Sequence, residues 1–373
     1  MRTELCDRFG IEYPIFVFTP SEKVAAAVTK AGGLGVLGCV RFNDADDLEN
    51  VLQWMDANTD GKPYGVDIVR PATFRPQRPS VGRNPPPPPT PRRFAQRTLA
   101  DLGVPPLPDD EAKSEGVLGW LHSVARSHVE VALRHPIKLI ANALGSPPKD
   151  VIDQSHDAGV PVAALAGSAK HALRHVENGV DIVVAQGHEA GGHTGAIGSR
   201  VWWPEIVDAV DGRASVLAAG GIGTGRQVAA ALALGAQGVW MGSAFLTAAE
   251  YDLGVRTAGG ASVIQEAMLA ATSSDTVRRR IYTGKPARLL KSRWTEAWDA
   301  EGAPEPLPMP LQNILVSEAH QRMNEAKDPS AVAMPVGQIV GRMNEIRPVA
   351  DIIAELVSGF EGATRHLDAV RDS

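Results

Sequence analysis

The segment Gln186-Gly187-His188-Glu189-Ala190-Gly191-Gly192-His193-Thr194-Gly195 sets two imidazoles and a carboxylate among four glycines. Such a density of titratable groups points to metal binding or to proton transfer. A zinc-binding helix needs histidines four apart on one helical face. Here His188 and His193 are five apart, and Gly191-Gly192 would break the helix. The stretch therefore reads as a loop, with no metal expected. Its glycines let the backbone lie flat against a planar ligand while His193 projects from the rim. An imidazole titrating near neutrality takes a proton from a carbon acid or returns one to a reduced product. His193 is the catalytic candidate, and His188 reads as structural.

Two other clusters suit a phosphate. In Ala218-Ala219-Gly220-Gly221-Ile222-Gly223-Thr224-Gly225-Arg226 an apolar strand runs into glycines, and a helix is predicted over Gln227 to Leu234. Glycines allow close approach to an anion, and a helix N-terminus adds unsatisfied N–H groups and a favourable dipole. Val239-Trp240-Met241-Gly242-Ser243 repeats the pattern with a hydroxyl. Gly220, Gly221, Gly242 and Ser243 are the phosphate-contact candidates. A dinucleotide fingerprint starting at Gly221-Ile222-Gly223 fails, because position 226 is Arg and the ribose-reading position falls near Trp240.

These loops must hang on a scaffold. Short apolar runs at 14–18, 34–38, 64–69, 137–142, 161–165, 180–185, 215–219 and 238–241 alternate with helical segments such as 21–31 and 48–57. Near-continuous apolar strands separated by helices indicate a parallel sheet buried on both faces. Eight such units predict an α/β fold, a closed (β/α)₈ TIM barrel. The glycine loops then follow strands seven and eight, where such barrels hold phosphate. Pro71 to Pro108, with five consecutive prolines from Pro85, cannot offer a regular backbone ladder and reads as a surface insertion after the third strand. The expected organisation is a barrel over 1–245 with an insertion at about 71–134, a helical substrate lobe over 246–335, and a closing segment over 336–373. Within these, Ala261 to Ala271, Ile314 to Ala326 and Val349 to Val370 read as helices, and Ala303 to Pro310 as a turn.

Composition narrows the function. The 373 residues suffice for one barrel and an accessory lobe, and 37 glycines with 28 prolines imply many tight loops. An aromatic content of 5% and a net charge of −6 argue against a nucleic-acid partner. Cys6 and Cys39 are too few for a disulfide framework and read as inert core thiols. Residues 1–10 lack the apolar run of a signal peptide, and no membrane-length apolar stretch occurs. The expectation is a soluble cytoplasmic protein, monomer or homodimer.

With these residues in view, the chain resembles the nitronate monooxygenase family, formerly called 2-nitropropane dioxygenases. The resemblance rests on Ala25-Ala26-Ala27-Val28, Ala31-Gly32-Gly33-Leu34-Gly35, Pro63-Tyr64-Gly65-Val66 and Ala185-Gln186-Gly187. It continues through Glu189-Ala190-Gly191-Gly192-His193, Ala219-Gly220-Gly221-Ile222, Met241-Gly242-Ser243, Thr283-Gly284-Lys285-Pro286-Ala287-Arg288 and Gly337-Gln338. It implies an FMN-binding barrel that oxidises nitronates with molecular oxygen. In it Gln186, Ala190 and Gly191 touch the flavin ring or ribityl chain, the four glycine-loop residues hold the phosphate, and His193 is the base. Two departures stand at the mouth. Phe18-Thr19-Pro20-Ser21 replaces the usual Ala-Pro-Met, and Asp67 replaces the usual Asn among the cofactor contacts. An ionised carboxylate there would be unwelcome beside a reduced flavin unless protonated or hydrogen-bonded. Two alternatives stay open. Flavin-dependent enoyl reductases share a similar glycine-histidine loop and reduce activated alkenes with NAD(P)H, and a non-redox phosphate-binding barrel would use the same two glycine loops.

Overall fold

In the computed structural model, which describes residues 1–68, 91–107 and 122–373, the apolar runs become strands. These are β1 (Ile15–Thr19), β2 (Leu34–Gly38), β3 (Gly65–Asp67), β4 (Leu139–Asn142), β5 (Val162–Ala166) and β6 (Ile182–Gln186). After a two-residue strand β7 (Gly192–His193) come β8 (Ser215–Ala219) and β9 (Gly238–Met241). Every neighbouring pair in the order β1-β2-β3-β4-β5-β6-β8-β9 is parallel, and β9 pairs back with β1. The sheet is therefore a closed (β/α)₈ barrel, as the alternation predicted.

Its interior is packed, not hollow. Phe16, Leu34, Val36, Leu139, Ile182, Val184 and Leu217 fill it. From the N-terminal end the short helix Glu4–Phe9 adds Leu5, Cys6 and Phe9, and the Phe9 ring meets Phe16 edge-on at 5.3 Å. Both cysteines are buried and free.

The helix that should follow β9 is displaced in sequence. The outer helical layer is completed only after the lobe, by the long helix Val349–Arg371, which packs against helices Glu22–Lys30 and Gly225–Ala233. That places it over the β9–β1 seam. The contact is close: a Cβ on Gly225 would lie 2.1 Å from the Leu356 carbonyl and 2.2 Å from the Phe360 amide nitrogen.

The intervening chain contains helices Val263–Leu269, Arg293–Asp299 and Leu311–Glu325. It also contains β10 (Thr276–Arg279) and β11 (Ala287–Leu290), which form an antiparallel sheet in the order β10-β11-β7. Sequence reasoning expected only helices here, because four-residue strands leave no readable period. Part of the proline-rich stretch also differs from expectation. Residues 91–101 form a helix, with Pro91 tolerated in its first turn. Its Phe94, Ala95 and Leu99 pack with Trp294, Trp298, Val316 and Met323 in the lobe core. The prolines at 85–89 lie outside the described residues.

The tight seat of the closing helix makes a clear prediction. Gly225→Ala should lower stability by about 3 kcal/mol or more, because the new methyl meets backbone that cannot give way. Gly362→Ala, on the open face of that closing helix, should be neutral or stabilising by up to ~1 kcal/mol. Thermal and denaturant midpoints check both, and equal effects would show that the seam is looser than described.

Candidate active site

Side chains on a strand alternate between faces, so register decides which enter the barrel. Val36, Gly65 and Leu139 are partners across β2, β3 and β4, and Val36 and Leu139 point into the interior. One level further along, Gly38, Asp67 and Ala141 are partners. Asp67 therefore points inward at the C-terminal end of β3. By the same alternation Gln186 follows Ile182 and Val184 into the mouth. The Phe18 ring covers this end; a Cβ on Gly38 would lie 2.9 Å from it and one on Gly242 3.9 Å from it.

The two glycine loops meet because β8 and β9 are neighbours, with Ala219 opposite Trp240. Gly220 (φ 99°) and Gly221 (φ 72°) have left-handed backbone that favours glycine. A Cβ at 220 would also approach Gly187 O to 3.1 Å and Ala190 N to 3.2 Å, so this loop touches the one after β6. Glu189 welds them. Its carboxylate accepts from Ser199 N at 2.9 Å and Ser199 Oγ at 2.8 Å, at the start of helix Ser199–Val210, where the dipole favours a negative charge. Ser199 Oγ also lies 3.0 Å from Gly220 O.

A third stretch closes the rim. Gln338 N donates to Glu189 O at 2.9 Å, and Gly337 N to Ser243 Oγ at 2.8 Å. A Cβ on Gly191 would stand 2.7 Å from Val336 C, so this glycine is required by the main chain packed on it. Gln186, Ala190, Gly191, Gly220, Gly221, Gly242 and Ser243 thus share one side of the mouth. Asp67 stands opposite, four strands round the barrel from β8.

The anion donors differ in one respect from expectation. The capping box of helix Gly225–Ala233 engages its own N-terminus: Gln227 Oε1 accepts from Gly223 N at 2.9 Å and Thr224 N at 3.0 Å. The amides of Gly221 and Ile222, with those of Ser243 and Ala244, have no protein acceptor among the described residues. They are the free donors of this rim.

His193 lies on β7, paired with Ala287 of β11. Its Nε2 is 2.6 Å from the buried Thr283 Oγ1, a residue to which sequence reasoning gave no role of its own. Burial, then the positive charge of Lys285, pushes the imidazole down to about 4. It is neutral at pH 7. The His188 ring contacts Gly195 O through Nδ1, and its backbone N–H donates to Ile197 O. Arg288, also on β11, is buried and donates to His188 O at 3.1 Å and Thr276 Oγ1 at 2.9 Å. The neighbouring arginine run is internally occupied, Arg278 donating to Thr194, Arg279 to Asp299 and Arg280 to Gly284 O.

Asp67 is buried, and burial raises its carboxyl to about 7, partly offset by a hydrogen bond from the Ala143 backbone. Its Oδ1 is a buried acceptor without a protein partner. Among the described residues no cluster of three metal-binding side chains occurs, and no helix is long and apolar enough to cross a membrane.

Comparison with known proteins meets this geometry from outside. Residues 94–359 match the nitronate monooxygenase family. A Mycobacterium tuberculosis protein named as a monooxygenase is 44% identical over 96% of either chain. This chain belongs to the nitronate monooxygenase family. It is an oxidoreductase in a family of flavoproteins. The nitroalkane oxidase from Streptomyces ansochromogenes superposes with a TM-score of 0.76 at 27% identity, covering 97% of this chain and 99% of that one. FabK from Thermotoga maritima superposes at 0.73 with 26% identity, covering 99% of each.

Family membership explains why Thr283 and Gly337 could be quoted from the sequence, but only the fold gives them partners. Ser199 carried no signal at all; it is one serine ten positions beyond the glutamate it binds.

The His193 assignment has a direct readout. In a histidine-selective NMR titration its ring should stay neutral down to about pH 5, with a midpoint near 4. Its folded value lies below that of an unfolded chain, so its contribution to stability is present above ~6.5 and lost as pH falls toward 4. His193→Ala should remove that part of the acid sensitivity. A midpoint near the free-imidazole value would mean the ring is not desolvated.

Proposed function

We propose that this chain is an FMN-dependent nitronate monooxygenase in which His193 also removes the α-proton of neutral nitroalkanes. The observation that carries the reading is a neutral imidazole, fixed through Nε2 by Thr283, beside a mouth whose rim offers free main-chain amides. The residues present suit FMN. Left-handed Gly220 and Gly221 turn the backbone at the rim, the donors near 221 and 243 suit a phosphate dianion, and Asp67 Oδ1 is a buried acceptor without a protein partner.

In this reading Gly220, Gly221, Gly242 and Ser243 hold the phosphate. Gln186, Ala190, Gly191 and Asp67 line the ring and ribityl chain. When bound, FMN would supply the electron chemistry between nitronate and oxygen. The protein supplies position and a proton acceptor. Removing an α-proton turns the neutral imidazole into an imidazolium beside a new nitronate anion, and the two charges offset each other in a dry site. Thr283 holds the ring in one orientation through both states.

The competing reduction of an activated alkene with NAD(P)H asks the histidine to donate a proton, and a ring held near 4 carries none to give at neutral pH.

The purified protein should bind FMN and take on its visible absorbance, and anaerobic addition of an alkyl nitronate should bleach it. His193→Ala should retain FMN yet turn over neutral nitroalkane ~10²–10⁴-fold more slowly, while preformed nitronate is spared. Rapid bleaching by NAD(P)H without nitronate turnover would transfer the protein to the reductase reading.

A further inference from the structure

The family pattern has Asn where this chain has Asp67, and the fold turns that difference into a question about a proton. Asp67 is buried at the barrel mouth, with Oδ1 unpartnered. The groups around it do not balance a negative charge. On the β2 side Cys39 is a buried thiol, raised far above its ordinary value by burial and by Asp67 itself, so it stays neutral. Arg41, next along that side, is engaged by Glu22, and its own Nε is buried without a partner. On the β4 side only the Ala143 amide reaches the carboxyl. The apolar Phe18 ring lies against Gly38, the register partner of Asp67 on β2. No cation among the described residues pairs with Asp67.

A carboxylic acid offers one O–H donor and one carbonyl acceptor, the same pair of functions that an amide side chain presents. A carboxylate offers acceptors alone, and a buried one without a cation is costly. We propose that Asp67 meets the flavin as a neutral carboxylic acid, so that this site takes up a proton with its cofactor. The inference rests on the FMN reading above and adds what that reading lacks, a pH-dependent affinity. Ionised Asp67 must recover its proton before binding, so affinity should fall as pH rises above the carboxyl's value near 7.

The test is FMN binding to apoprotein by calorimetry between about pH 7.5 and 9, where a phosphate monoester with a second pKa of ~6 is already dianionic. Kd should rise toward tenfold per pH unit. At the upper end of that range, titrations in two buffers of different ionisation enthalpy should show close to one proton taken up per FMN. Asp67→Asn should bind with a flat pH profile and no uptake. Should that variant fail to fold, the two-buffer measurement on the unmodified protein decides alone. FMN binding with no proton uptake and a flat profile overturns this inference and leaves the cofactor assignment standing. No FMN binding at any pH overturns the cofactor assignment and this inference with it.

Discussion

Three stretches of main chain crowd one point of the barrel rim, and the site depends on their doing so without side chains between them. The loop after β6 passes against Gly220 on one side and against 336–337 on the other, at distances that a methyl group would violate. Close approach of backbones is a use that only glycine serves. Polar contacts then fix what the sterics permit: Glu189 on Ser199, its carbonyl on Gln338, and Ser243 on Gly337. A carboxylate at a helix start and a serine hydroxyl under a loop are ordinary devices. Here they hold the amides of two phosphate-type loops and the stem of the His193 strand in one frame.

Desolvation acts on two titratable groups of the mouth in opposite chemical senses. It disfavours the charged form of each, lowering His193 to about 4 and raising Asp67 to about 7. Both are therefore nearest to neutral when the site is dry. In the proposed reading a neutral base suits proton removal from carbon, and a neutral acid suits contact with an electron-rich ring. Neither shift needs a nearby opposite charge; Lys285 only adds to the effect of burial on His193.

The lobe enters this chemistry through its sheet. β11 pairs with β7, so the segment that carries Arg288 and follows Thr283 is hydrogen-bonded to the histidine strand itself. The histidine strand and the lobe sheet are thus one hydrogen-bonded unit. Helix 91–101 adds its apolar face to the same lobe core, which ties the chain after β3 to the lobe over the opposite rim.

The sequence by itself determined the barrel, the two glycine loops and the histidine. Strand runs such as 34–38, 215–219 and 238–241 reappear with unchanged bounds, because a strand buried on both faces is written as a continuous apolar word. Gly220 and Gly221 were legible for the same local reason, since a left-handed backbone selects its residue directly. What tertiary structure alone decided were contacts between residues far apart in the chain. Thr283 meets His193 across ninety positions, and Gly337 meets Ser243 across ninety-four. No period or propensity spans such gaps. The protonation of Asp67 and His193 was equally hidden, because a pKa is set by what surrounds a group after folding. Chain order names the groups; enclosure decides their charge.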